Sequence, residues 1–129
     1  MAGIVHFSRF FDFMEAAEHA FLRSIGTSVA GTWEGRRIGW PRVGASCDYL
    51  NPVRFEDRLD VRLKVIRKGT SSITYGFEFR RDNVLIARGR LSAVFCECAP
   101  GEPLRSMPIP DFIADQIQEA KDGGDDAEG

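Results

Sequence analysis

No stretch of this sequence approaches the roughly 20 consecutive apolar residues that cross a bilayer, so a helical membrane span is excluded and no membrane partner is expected. Nor is there a surplus of one charge: 17 Lys and Arg face 19 Asp and Glu, a formal net charge of −2. Duplex nucleic-acid binders carry excess cations to neutralise phosphates, so no nucleic acid is expected as a partner. Histidine is scarce, and His6 and His19 stand too far apart for one helical face to present them as a metal pair. No Asp, Glu or His set has metal-ligand spacing, and no metal is expected. Cysteine is limited to Cys47, Cys96 and Cys98, an odd set for a secreted disulfide framework. Cys96 and Cys98 fall two apart in a strand-like stretch, on one face and without a redox turn between them, and read as inert thiols. The segment from Met1 to Arg9 lacks the basic start, apolar middle and small-residue site of a secretory leader, which makes the cytoplasm the expected location.

What the chain does contain is enough apolar material for one core: 43% of its 129 residues are hydrophobic. Residues 1–120 are expected to form a single domain, and the Gly- and Asp-rich residues 121–129 a disordered acidic tail. Phe10, Met14, Ala17 and Phe21 recur at helical spacing, widened by Phe11 and Phe13, and predict a helix from Ser8 to about Ile25. Ser8 suits its N-cap and Gly26 its stop. So much aromatic bulk suggests a helix enclosed by a sheet. Thr27 to Pro41 shows no clean period and reads as an irregular connection. The period then becomes two across Val43–Tyr49, Leu59–Arg67, Ser71–Arg80 and Val84–Cys98, four predicted strands of which the last three form a meander through short polar turns. A short helix is predicted from Asp111 to about Ala120. The fold class is therefore α+β: an antiparallel β-sheet wrapped around one long central α-helix.

The segment Gly3–Leu22, GIVHFSRFFDFMEAAEHAFL, resembles the opening of the central helix in hotdog-fold acyl-CoA thioesterases, specifically the 4-hydroxybenzoyl-CoA thioesterase family. Cys47–Leu59 (CDYLNPVRFEDRL), Lys68–Phe77 (KGTSSITYGF) and Arg105–Pro110 (RSMPIP) are similar to later parts of the same pattern. The resemblance implies a five-stranded sheet around the helix and self-association as a homodimer or homotetramer, with acyl-CoA in a cleft between subunits. It implies hydrolysis of an aromatic or medium-chain acyl-CoA to free acid and CoA, with no cofactor beyond the coenzyme A of the substrate. A non-catalytic acyl-CoA-binding hotdog module and a hotdog dehydratase are the alternatives. In the family pattern a catalytic Asp, ending the first strand, stands two residues before the position of Ala2, which places it one residue ahead of Met1. An upstream segment is expected to supply both.

Thioester hydrolysis needs a carboxylate to attack the carbonyl or activate water, and donors for the developing oxyanion. The start of a helix offers unpaired N–H groups and a favourable dipole. By the resemblance, the backbone N–H of Phe7 polarises the thioester carbonyl, and His6 beside it reads as a pocket wall before a base. Glu15 shares a helix face with Asp12 and Glu18, which by itself is an ordinary solvated acidic face. The family carries at the position of Glu15 an acid that reaches the acyl pocket, and Glu15 is the candidate catalytic carboxylate within the chain. For the phosphates of CoA, Arg67, Lys68, Ser71 and Ser72 flank one hairpin, with Arg105 as a second basic site. Arg88 and Arg90 read as strand surface.

Overall fold

The computed structural model describes residues 7–52 and 58–120, so His6 and the expected tail fall outside it. Helix α1 spans Phe7–Ser24. Its buried side is the stripe Phe10, Met14, Glu18 and Leu22, continued by Ile25 just past its end, while Phe11, expected to widen that stripe, is exposed. Gly26 ends the helix at φ +86°, and the Gly26 and Thr27 N–H groups donate to the carbonyls of Arg23 and Leu22. This is the glycine-terminated double cap that satisfies the last turn.

The 27–41 stretch is not irregular. It holds a hairpin of β1 (Ala30–Trp33) and β2 (Arg36–Gly39), paired from Trp33 with Arg36 to Ala30 with Gly39. The turn is Glu34-Gly35, with φ of 52° and 76°, the two-residue left-handed geometry that matches strand twist. Four-residue strands are too short to show a period, which is why the pattern hides them. Next come β3 (Arg42–Tyr49), β4 (Asp60–Lys68), β5 (Ser72–Arg81) and β6 (Val84–Val94), an antiparallel sheet in the order β3-β6-β5-β4 that contains the expected meander. The predicted strand to Cys98 breaks at Phe95. Its continuation, β7 (Cys96–Glu97), pairs in a second sheet with β2 and with β8 (Arg105–Ser106), in the order β1-β2-β7-β8. Two four-stranded antiparallel sheets thus replace the expected five-stranded one. Helix α2 covers only Asp111–Ala114, shorter than predicted, because the chain after it turns to lay Glu119 parallel to Val65 on β4. Among the described residues no helix is long and apolar enough to cross a membrane.

One face of the larger sheet carries Ile73, Tyr75, Phe77 and Phe79 of β5 with Ala87, Leu91 and Ala93 of β6, all buried, as period-two alternation requires. The 18-residue α1 packs on this face: Phe10 meets Phe79 edge-on at 5.0 Å, and Phe21 meets Tyr75 at 5.7 Å. The helix therefore runs along β5 from its Phe79 end to its Tyr75 end. Gly89 makes the close approach possible, since a Cβ there would lie 2.2 Å from Met14 Sδ. Gly89→Ala is accordingly expected to lower unfolding free energy by about 1–3 kcal/mol, the usual cost of overpacking a filled core, as measured by urea titration.

Candidate functional site

Three residues of α1 and one of β3 form a charged cluster at the edge of the core. Glu18 occupies a core position, four residues from both Met14 and Leu22, and its side chain is 0% exposed. Burying a carboxylate is costly unless it is paired and hydrogen-bonded. Arg42, at the start of β3, supplies the partner: its Nε and Nη2 donate to Glu18 Oε1 at 3.0 and 2.5 Å. The same Nη2 lies 3.5 Å from Glu15 Oε2 and 3.4 Å from His19 Nε2. His19 Nε2 also lies 3.9 Å from Glu15 Oε2. Glu15 is 49% exposed and Arg42 34%, so the cluster grades from dry to wet across one helical turn.

Two buried oxygens in this region, Glu18 Oε2 and the Tyr75 hydroxyl, make no hydrogen bond. Burial, and then the negative charge of Glu18, push the Tyr75 phenol well above its ordinary range, so it stays protonated. Nearer the helix start an aromatic wall is assembled. Phe10 meets Tyr49 at 5.0 Å and Phe13 at 6.2 Å, and the Arg9 guanidinium sits 5.6 Å from the centre of the Phe13 ring. Burial also raises the Cys47 and Cys96 thiols, which keeps both unreactive near neutrality.

Reach separates Phe7 from Glu15. Eight residues at 1.5 Å put Glu15 about 12 Å along the axis from Phe7, and its side chain leans back only part of that way. A carbonyl hydrogen-bonded to the Phe7 N–H therefore lies beyond the Glu15 carboxylate of the same chain. The far end of an aryl group attached to that carbonyl does not. Glu15 and the Phe7 N–H of one chain are thus separated along the helix by about two turns.

The thioesterase superfamily model matches residues 2–87, from the start of α1 into β6. The chain belongs to the thioesterase superfamily. It is 28% identical over 88 residues to a protein of Aquifex aeolicus named as an esterase, a match covering 67% of this chain and 66% of that one, just under two thirds of its length. It is 26% identical over 117 residues to a 1,4-dihydroxy-2-naphthoyl-CoA hydrolase of Synechococcus sp. (strain CC9605), covering 87% of this chain and 76% of the relative. Among solved structures, a gentisyl-coenzyme A thioesterase superposes with a TM-score of 0.72 at 25% identity, covering 87% of this chain and 85% of its own.

In this thioesterase-superfamily chain the residues expected to hold CoA gather at the far end of the sheet. Arg67 is exposed on β4. The Lys68 ammonium is already engaged, donating to the carbonyls of Ala114 and Ile117 at 3.1 and 3.0 Å, while its backbone N–H donates to Glu119 Oε2 at 2.7 Å. The carbonyls of Ser71 and Ser72 accept from the Phe95 and Gly69 N–H groups. Arg105, exposed on β8, pairs with Glu97 in the other sheet, four residues before Ile109, whose N–H donates to the Thr70 carbonyl at 2.9 Å. From Ser72 to Phe79, seven strand steps of roughly 3.3 Å separate the hairpin from the Phe10 end by about 23 Å. Arg88 and Arg90 lie across the sheet from Glu78 and Gly76, in line with Asp48 and Ser46.

Sequence reasoning missed Glu18 as a buried residue and Arg42 altogether. Glu18 had a signal, the apolar Met14 and Leu22 four residues to either side. Arg42 had none, since its partner lies 24 residues away.

Proposed function

We propose that this chain hydrolyses hydroxyaryl-CoA thioesters to the free acid and CoA. The thioesterase-superfamily match over residues 2–87 carries the reading, because it spans the segment that holds Phe7, Glu15, Glu18 and Arg42. The thioester carbonyl accepts from the Phe7 N–H at the start of α1, where unpaired donors and the helix dipole stabilise the oxyanion. Water adds to the carbonyl carbon as its proton passes to a carboxylate; the C–S bond then breaks, its electron pair staying on sulfur, and the proton returns to the thiolate. By the resemblance, His6 walls the pocket beside this carbonyl. Glu15 serves the other end of the acyl group, accepting from its hydroxyl. Support for an aryl group comes from the aromatic side chains gathered near the helix start, the half-buried Phe13 and the exposed Tyr49 beside the buried Phe10. Further support comes from the names of the relatives, since 1,4-dihydroxy-2-naphthoyl and gentisyl groups are both hydroxylated arenes.

The 23 Å between the hairpin of Arg67, Lys68, Ser71 and Ser72 and the helix start favours a site shared by two copies. Antiparallel pairing of two copies along β3, an edge strand of its sheet among the described residues, would bring one chain's hairpin toward its partner's α1 start. Arg67 and Arg105 are the exposed cations of that corner and hold the CoA phosphates in this reading. A single domain over residues 1–120, its sheet curling round α1 as in the hotdog fold, acting in the cytoplasm without a further cofactor, completes it.

The test is CoA release, followed by a thiol reagent, from 4-hydroxybenzoyl-CoA, benzoyl-CoA and octanoyl-CoA. Saturable release is expected, with kcat/KM for 4-hydroxybenzoyl-CoA at least about tenfold above that for octanoyl-CoA, the scale of a charge-assisted hydrogen bond. Binding without release would leave the acyl-CoA-binding alternative in its place.

A further inference from the structure

We propose that Glu18 and Arg42 are a positioning pair that sets acyl-group specificity, acting through Glu15. The proposal rests on the reading of Glu15 as the acceptor for the acyl hydroxyl. A carboxylate with no exposed surface occupies a core position of α1, between Met14 and Leu22, where an apolar side chain would pack without any ionic partner. Replacing such a pair with apolar residues of similar volume is commonly neutral or stabilising, so stability alone gives no reason for it.

The geometry gives another reason. The Arg42 guanidinium is gripped from the dry side by Glu18 Oε1 through both Nε and Nη2, which fixes its plane. On its wet side Nη2 lies 3.5 Å from Glu15 Oε2 and 3.4 Å from His19 Nε2. The ion pairs of Glu15 with Arg42 and with His19, at 3.5 and 3.9 Å, both run through Oε2. Charge follows the same logic. Two carboxylates surround one guanidinium, so Glu18 offsets the charge of Arg42 and Glu15 keeps its character as an acceptor. Without Glu18, Arg42 would pair with Glu15 alone and compete with the ligand. A site with one net negative charge accepts a hydroxyl hydrogen and repels an acyl group that ends in a carboxylate.

The experiment measures kcat and KM for 4-hydroxybenzoyl-CoA and benzoyl-CoA, and thermal midpoints, in the parent chain and four variants: Glu15→Gln, Arg42→Lys, Glu18→Gln and the double variant Glu18→Leu/Arg42→Met. The double variant is expected to melt at or above the parent temperature. Its preference for the hydroxylated substrate should fall about tenfold or more, carried by that substrate, while benzoyl-CoA turnover stays within about threefold. Arg42→Lys, which keeps the charge but loses the planar fork, should recover part of the preference. A double variant with the parent's preference, beside a Glu15→Gln chain that has lost it, overturns the positioning pair alone. Should the double variant not fold, unchanged preference in both Arg42→Lys and Glu18→Gln overturns it equally. A preference that survives Glu15→Gln, or a parent that releases no CoA, overturns the underlying reading and the pair with it.

Discussion

Arg42→Met is expected to lower the unfolding free energy by about 3–5 kcal/mol, the cost of leaving a buried carboxylate without its partner. Glu18 has no exposed surface and one oxygen already lacks a hydrogen bond. Removing Arg42 takes away both donors to the other. At this chain length the loss corresponds to a fall in melting temperature on the order of 10–20 °C. The reverse substitution is asymmetric. In Glu18→Leu the remaining group is Arg42, which is one-third exposed and keeps Glu15 and water as partners, so the expected loss is only about 1 kcal/mol. Urea denaturation of the two variants measures the difference, and equal losses would contradict the placement of Glu18 in the dry core.

Glu15→Gln separates two roles that a helix carboxylate can play. At the far end of the acyl group, its loss removes a charge-assisted hydrogen bond to the hydroxyl, and kcat/KM for 4-hydroxybenzoyl-CoA should fall about 10- to 100-fold. Turnover of benzoyl-CoA, which has no hydroxyl to lose, should hold within about threefold. A catalytic Glu15 would give a different pattern, with both substrates losing about 10²–10⁴-fold. Glu15 is half exposed, so stability should change by no more than about 0.5 kcal/mol in either case. The two substrates measured side by side decide between the patterns.

Much of the architecture was legible because local pattern and tertiary packing agree. The Phe10, Met14 and Phe21 spacing, closed by Gly26, marks α1 to within a residue at each end, and the two polar turns mark the meander of β4, β5 and β6. Features fixed by distant partners were not legible. The β1–β2 hairpin depends on Glu34 accepting a left-handed backbone, which nothing about a glutamate announces. At Phe95 the chain changes sheets because its N–H donates to the Ser71 carbonyl and its carbonyl accepts from Met107, contacts that lie outside any periodic window. Lys68 reads as a free cation beside a turn, yet it caps the end of α2 from 46 residues away. The candidate site divides in the same way. Glu15 is visible through the resemblance, whereas its setting is built by Glu18 and Arg42, a pair that only the fold brings together.

The most direct measurement is a crystal structure of the chain with 4-hydroxyphenacyl-CoA, a ketone thioether that keeps the shape of the substrate but has no thioester to cleave. The account predicts its carbonyl oxygen within about 3.2 Å of the Phe7 backbone nitrogen and its ring hydroxyl within about 3.0 Å of a Glu15 carboxylate oxygen, with Arg42 still clasped by Glu18. An aryl group seated away from α1, or one whose carbonyl faces Glu15, would contradict it.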